Sequence, residues 1–326
     1  MLAFQSRIAP SAFLTLCICI APPLAGDDRF SWLVIQPGYP GTTAGAGSFM
    51  RSFSRYIEKE TGLRCLESTY YNLPSKALVA ISERRPSFVF VSLGFYLKNR
   101  CRFGMTALLE STPPDRFLVV GRAGGATEIS QLGGGNIVAG GPLYEADFLQ
   151  RVVFPAETPF SRWKLQPTLR TSRAIRRLTR GRYQAVVLTG REYDAVSRLS
   201  AGKKLEKMFE SDYYPATLVV ALENPPEERE AKVEARNGGP AKGDATGREQ
   251  SGSESSGEEN SEHGKPKGSK VLSVDEKRIL VDALTGMAKG PDGRDLLKRM
   301  GVQGFRPVRP GWLKKMEGEY DAFEKK

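Results

Sequence analysis

The chain has 326 residues, a formal net charge of +11, four cysteines and a single histidine. That histidine, His263, falls in a polar stretch expected to be disordered, which leaves no ordered base for a Ser/His/Asp or Cys/His nucleophile and rules out a histidine-rich metal site, while a carboxylate-only metal site stays open. The positive charge favours an anionic ligand or surface without choosing between them.

At the N-terminus, Arg7 precedes an apolar stretch from Ile8 to Pro23, followed by small Ala25 and Gly26 and then Asp27 and Asp28. This predicts a secretory signal peptide over residues 1–26, because the run is too short and too broken by proline to span a bilayer. Cys17 and Cys19 fall inside it without a good lipobox, so a soluble exported protein is expected ahead of a lipoprotein. Export makes nucleic acid the least favoured partner. Cys65 and Cys101 remain in the mature chain, where they can form one disulfide or stay as free thiols, and their spacing is not that of a zinc site.

Roughly 300 mature residues predict two lobes or domains with a sizeable core. The first strand is SWLVI, Ser31 to Ile35, which breaks into QPGYPGTTAGAG, a glycine- and proline-rich loop expected to hold no regular element and to wall a pocket. A helix follows with Phe49, Met50, Phe53, Tyr56 and Ile57 on one face, Ser48 as its expected N-cap and Gly62 as its stop. LRCLESTYY reads as a second strand, Pro74 opens a second helix carrying Ala77, Leu78 and Ile81, and SFVFVSL, Ser87 to Leu93, fits a strand covered on both faces. Parallel strands joined by crossover helices place ligands outside the strands' carboxyl ends. Residues 36–43, 69–72 and 92–96 are therefore the places to watch.

RFLVVGR, Arg116 to Arg122, is another strand. GGATEISQLGGG after it carries no phosphate-loop or dinucleotide fingerprint and reads as a connection into a second lobe, which opens on the strand NIVAGG. Pro142 starts a helix with Ala146, Leu149 and Val153 on one face, and Ser172 is the expected cap of a helix carrying Ile175 and Leu178. The arginine-rich stretch from Arg170 to Arg182 reads first as a solvated amphipathic face, and second as a docking face for an anionic partner. AVVL, Ala185 to Leu188, is a buried strand followed by Thr189 and Gly190. ATLVVAL, Ala216 to Leu222, is the expected last strand, returning to lobe one.

From about 225 to 270 the composition turns to Gly, Glu, Ser and Lys, too poor in apolar residues to offset ordering entropy, and a disordered insertion holding His263 is expected. Ser273 and Glu276 then form a capping-box pattern before Ile279, Leu280, Ala283, Leu284 and Met287. A shorter helix with Leu296, Leu297 and Met300 ends at Gly301.

The order of these elements is similar to the substrate-binding proteins of phosphate, phosphite and phosphonate ABC transporters. TYYNLPSKAL resembles that family's tyrosine with spaced apolar residues, FVFVSLGFYL its buried strand and glycine turn, and PDGRDLLKRMGVQGFRPV its C-terminal helix and tail. The resemblance implies an α/β, two-lobed type II periplasmic binding-protein fold, each lobe a mixed sheet flanked by helices. Lobe one would span 27–125 and 217–326, with lobe two at 126–216 between them. It also implies a periplasmic monomer that encloses a small anionic solute and delivers it to an ABC transporter permease, with no cofactor, no metal and no chemistry of its own.

By the same resemblance Tyr71 is a wall or hydrogen-bond donor, Ser92 a turn hydroxyl at a strand end, and Thr189 its counterpart in lobe two. Tyr39, Thr42, Thr43 and Tyr144 join the candidate ligand-binding residues from their positions alone. Two departures qualify the likeness. The lobe-two helix start, GGPLYEADF, has no hydroxyl cluster before Tyr144 to grip an oxyanion, and the AVVL strand ends in Thr189 where an acidic residue would meet an amine, so an amine-bearing ligand is not expected. A ligand-sensing or scaffold module for a membrane signalling partner is the alternative of another class. An enzyme on the same fold would need a carboxylate pair facing the cleft.

Overall fold

The computed structural model describes residues 29–39, 41–133, 137–199, 202–223 and 270–323. The expected signal peptide and, apart from Lys270, the expected insertion with His263 lie outside the described residues.

Strand β1 (Phe30–Ile35) is buried along its whole length. Its chain continues through α1 (Thr43–Thr61), β2 (Cys65–Tyr71), α2 (Pro74–Arg84) and β3 (Phe88–Val91), with β1 parallel to both β2 and β3. Such strands, covered on two faces, must be apolar throughout, which is why they are legible as short continuous runs. Trp32 stacks on Phe88 with centroids 6.0 Å apart, and both are fully buried.

Helix α1 begins five residues before the expected Ser48 cap. Thr42 is the N-cap, its Oγ1 accepting from the amide of Gly45 at 3.0 Å, so the segment TAGAG is the first turn rather than loop. Burial of Met50, Phe53, Tyr56 and Ile57 carries the helix over its weak glycines. Likewise the segment after β3 is not a glycine turn but the start of α3 (Leu93–Phe103), with Ser92 as N-cap and Gly94 inside the first turn. Strand β4 (Met105–Thr112), not foreseen, completes this part of lobe one.

The chain then leaves for a second sheet earlier than expected. Strand β5 (Asp115–Arg122) pairs there, so the change of sheet falls between Thr112 and Asp115, not in the glycine-rich stretch beyond Arg122. A proline pair at 113–114 separates two strands whose ladders belong to different sheets. Next come β6 (Ile137–Gly140), then a 3₁₀ turn at Pro142–Glu145 leading into α4 (Ala146–Phe148) and a π turn at Leu149–Val153. After β7 (Lys164–Pro167), helix α5 (Thr171–Thr179) is capped at Arg170; Ser172 lies within it. Its Ala174, Ile175 and Leu178 are buried and its arginines are not. Then follow β8 (Ala185–Thr189), α6 (Gly190–Ser197) and the long β9 (Leu205–Tyr214). The second sheet runs β7-β6-β8-β5-β9.

Strand β10 (Leu218–Leu222) returns to the first sheet between β3 and β4. It is not the last strand. After α7 (Val274–Thr285), with the Ser273/Glu276 capping box in place, and α8 (Pro291–Met300), which Gly301 ends in left-handed conformation, β11 (Gly304–Pro307) adds to the edge of β4. Fully buried Glu110 of β4 fixes this edge by accepting from Arg306 Nε at 2.6 Å and Arg309 Nε at 3.0 Å. The first sheet is thus β11-β4-β10-β3-β1-β2.

One apolar cluster joins the lobes, taking Leu33, Val91 and Leu218 from the first sheet, Val119, Val138 and Val187 from the second, and Phe148 from α4. Helix α9 (Pro310–Ala322) straps them together: Tyr96 of α3 donates to Glu317, and Arg151 of the π turn lies 4.6 Å over the Tyr320 ring. Cys65 and Cys101 are free, Cys101 exposed. Among the described residues no helix is long and apolar enough to cross a membrane.

Candidate functional site

The cleft between the lobes is built on two like junctions. Strand β3 runs into α3 through Ser92, and β8 runs into α6 through Thr189; each hydroxyl caps its helix by accepting an amide, from Phe95 at 3.3 Å and Glu192 at 3.3 Å. Both residues line one inner compartment of about 60 Å³. Two positive helix ends, one per lobe, therefore face the same small space.

Both ends already hold carboxylates of the chain itself. At α3, Glu145 reaches across from the other lobe, accepting from Ser92 Oγ at 2.5 Å and from the Phe95 amide. At α6, Glu192 closes a capping box with Thr189 and accepts from Thr171, while Asp115 of β5 lies against Gly190. Two glycines permit these approaches: a Cβ on Gly94 would stand 2.9 Å from Glu145 Oε1 and 2.8 Å from Phe148 Cβ, and one on Gly190 would stand 2.4 Å from Asp115 Oδ1. Glu145 is thus committed to the α3 end and Glu192 to the α6 end, whereas Asp115 accepts from the Arg116 amide at 2.8 Å and faces Arg191.

Burial pushes the Glu145 carboxyl up from 4.5 to about 7, against the opposing pull of Ser92, the Phe95 amide and Lys98. Among the described residues the one cation lining this compartment, Arg116, spends its guanidinium elsewhere: Nε lies 2.7 Å from Glu210 and Nη1 donates to Tyr213 at 2.8 Å. Phe117, Phe148 and Tyr214, packed edge to face, supply the apolar wall.

Tyr39 also lines a second, outer compartment of about 430 Å³. Burial raises its hydroxyl pKa, and nearby Asp115 adds to that. Gln36, Thr42, Tyr70, Arg191 and Arg299 line the outer space with it.

The structure thus gathers Tyr39, Ser92 and Thr189 on the inner compartment and Tyr39 and Thr42 on the outer. Thr43 caps the cross-over to β2 instead, donating to the Tyr70 carbonyl at 2.8 Å. Tyr71 lines neither compartment and packs against the inter-lobe core; its neighbour Tyr70 takes the cleft side, because successive strand residues point to opposite faces. Tyr144 faces a different cavity, beside the Lys98–Asp147 ion pair. Sequence reasoning missed Asp115, Glu145, Glu192 and Arg191. Of these only Glu192 left a local signal, standing three residues after Thr189 in a capping-box pattern. The absence of an acid at the end of β8 therefore does not leave the cleft without carboxylates, and the argument against an amine-bearing ligand loses its ground.

No family model and no curated relative matches the sequence. Solved structures do. XAC2383 from Xanthomonas citri bound to ATP is 13% identical, with a TM-score of 0.62 over 91% of this chain and 98% of that one. PhnD1 from Prochlorococcus marinus in complex with methylphosphonate is 10% identical, at 0.59 over 92% and 99%. A binding-protein component of an ABC phosphonate transporter from Pseudomonas aeruginosa is 9% identical, at 0.56 over 90% and 88%. At such identities the likeness shows the fold: two mixed sheets flanked by helices, in the type II periplasmic binding-protein arrangement.

Proposed function

We propose that this fold serves here as an exported, monomeric solute-binding protein that takes a small phosphate- or phosphonate-like oxyanion between its lobes and delivers it to an ABC permease. One observation carries the reading: the α3 N-terminus already holds an oxyanion from the opposite lobe, the Glu145 carboxylate bound to Ser92 and Phe95. A ligand oxyanion has the same charge and the same need for donors, so it takes the place Glu145 vacates when the lobes part. The net charge of +11 adds long-range attraction. Among the neighbours, the bound methylphosphonate and ATP are both phosphorus oxyanions.

Displacing a neutral carboxyl is easier than displacing a carboxylate. With Glu145 titrating at about 7, oxyanion binding therefore strengthens as pH falls below neutrality. The test is a thermal-shift series with phosphate, phosphite, methylphosphonate, aminoethylphosphonate, sulfate and simple sulfonates at about pH 6 and about pH 8, since a ligand of the folded state alone raises stability by RT ln(1 + [L]/Kd). The expected result is a rise of several degrees with one oxyanion, larger at the lower pH.

A second reading has its own support. The inner compartment is only about 60 Å³ and the lobes share one apolar core. A clamp held shut by its own carboxylate fits a scaffold or sensor that presents a closed face to a membrane partner. Flat curves throughout the series favour it.

A further inference from the structure

We propose that the outer compartment is a second ligand site, for an organic anion with a phosphate or sulfonate head and an apolar body. It does not depend on the inner compartment binding anything. The two spaces share Tyr39 but differ in every feature that selects charge.

Among the described residues no carboxylate lines the outer compartment, whereas two arginines do. Arg191 engages Asp115 through Nε at 3.5 Å, and its buried Nη2 has no hydrogen-bond partner. Arg299 lies 5.2 Å over the ring of Phe49, leaving its guanidinium edge to meet an acceptor. The same space is lined by the first turn of the 19-residue α1, which carries no acidic residue and leaves the amides of Thr43 and Ala44 without partners inside the helix. An anionic head fits this end as Glu145 fits α3.

An independent feature points to the rest of the ligand. Gln36 is 8% exposed; its Nε2 donates to Thr217 Oγ1 at 2.9 Å, while its Oε1, buried, accepts from nothing. An orphan acceptor of this kind is expensive unless a donor arrives, and a ligand hydroxyl, an N–H or the P–OH of a monoanionic phosphate supplies one. Phe49, Val34 and Met300 offer it an apolar bed. The volume, about 430 Å³ against about 60 Å³, admits such a body where the inner compartment does not.

Calorimetric titration of the full chain with phenyl phosphate tests the site, with benzyl alcohol as the uncharged control. The expected result is saturable binding of phenyl phosphate alone. Arg299→Gln weakens it at least about tenfold, as loss of one charge-assisted contact should. Gly45→Glu, which supplies α1 with a built-in anion and a capping box to Thr42, abolishes it without lowering the melting temperature. Equal affinity in wild type and both variants overturns the proposal, as does an absence of binding by the wild type at millimolar phenyl phosphate.

Discussion

The inner and outer compartments meet at Tyr39 and are built from the same kind of part, a helix N-terminus at the carboxyl end of a buried strand. They differ in what the chain brings to that part. At α3 the positive end is met by Glu145 from the opposite lobe, and at α6 by Glu192 of its own first turn with Asp115 of β5 alongside; at α1, among the described residues, no acidic side chain lines the space and two arginines stand beside it. The fold supplies equivalent anion sites, and the carboxylates that the chain brings to them, within a lobe or across it, decide which ones are spent. A cleft's preference for charge is thus written in the acids that meet its helix ends more than in its strand ends.

The largest break in the comparison comes from sterics. Valine at Gly94 would drive a Cβ to within 2.8 Å of Phe148 and 2.9 Å of Glu145, on a face where the lobes interlock. We expect Gly94→Val to destabilise by about 2–3 kcal/mol, since overpacked sites relax poorly, and calorimetric melting should fall by several degrees. The outer side tolerates the same kind of change. Gly47 of α1 has only the end of Arg51 within 3.5 Å of a new Cβ, so Gly47→Ala should gain about 0.5–1 kcal/mol of helix propensity. Equal losses at the two positions would mean that the interlock is not specific to the inner face.

Charge gives the next effect. Because the folded state raises the Glu145 pKa from 4.5 to about 7, it binds the proton more tightly than the unfolded chain does. The stability this contributes is full below about 4.5 and is lost as pH rises through about 7. Glu145→Gln keeps an acceptor for Ser92 and the Phe95 amide but cannot ionise. The variant should match the wild type at acid pH and exceed it at about pH 8 by on the order of 2 kcal/mol, discounted for partial exposure. Urea melts across that range would reveal the divergence; parallel curves would show that Glu145 ionises without penalty.

Much of lobe one is legible in the sequence because its strands are buried on both faces and punctuated by Gly62, Pro74 and Ser92. Strand β9, LEKMFESDYY, hides because its mixed polar pattern suits one buried and one wet face. Strand β4 hides behind Glu110, a charge that reads as surface until Arg306 and Arg309 arrive from nearly 200 positions later. The same limit governs the site. Tyr39, Ser92 and Thr189 follow from strand ends, a local rule, whereas Glu145 meets Ser92 across 53 residues and between lobes. Alternation within a strand could have exchanged Tyr71 for Tyr70, had the register with β1 been known.

The smallest effect separates the two junctions of the inner compartment. Removing a capping hydroxyl costs about 1 kcal/mol in either helix. At α6, Thr189→Ala takes from Glu192 only a long 3.4 Å contact and leaves it bound to the Thr189 amide at 3.0 Å and to Thr171, so the loss should stay near that figure. At α3, Ser92→Ala also takes a donor from Glu145, which remains held by the Phe95 amide alone on that helix. The Ser92 hydrogen bond favours the ionised carboxylate, so its loss moves the Glu145 pKa further up. The deficit of Ser92→Ala should therefore widen from acid to alkaline pH, and by more than that of Thr189→Ala. Paired melts of the two variants read this difference directly, and a flat deficit in both would mean that Ser92 does no more than cap its helix.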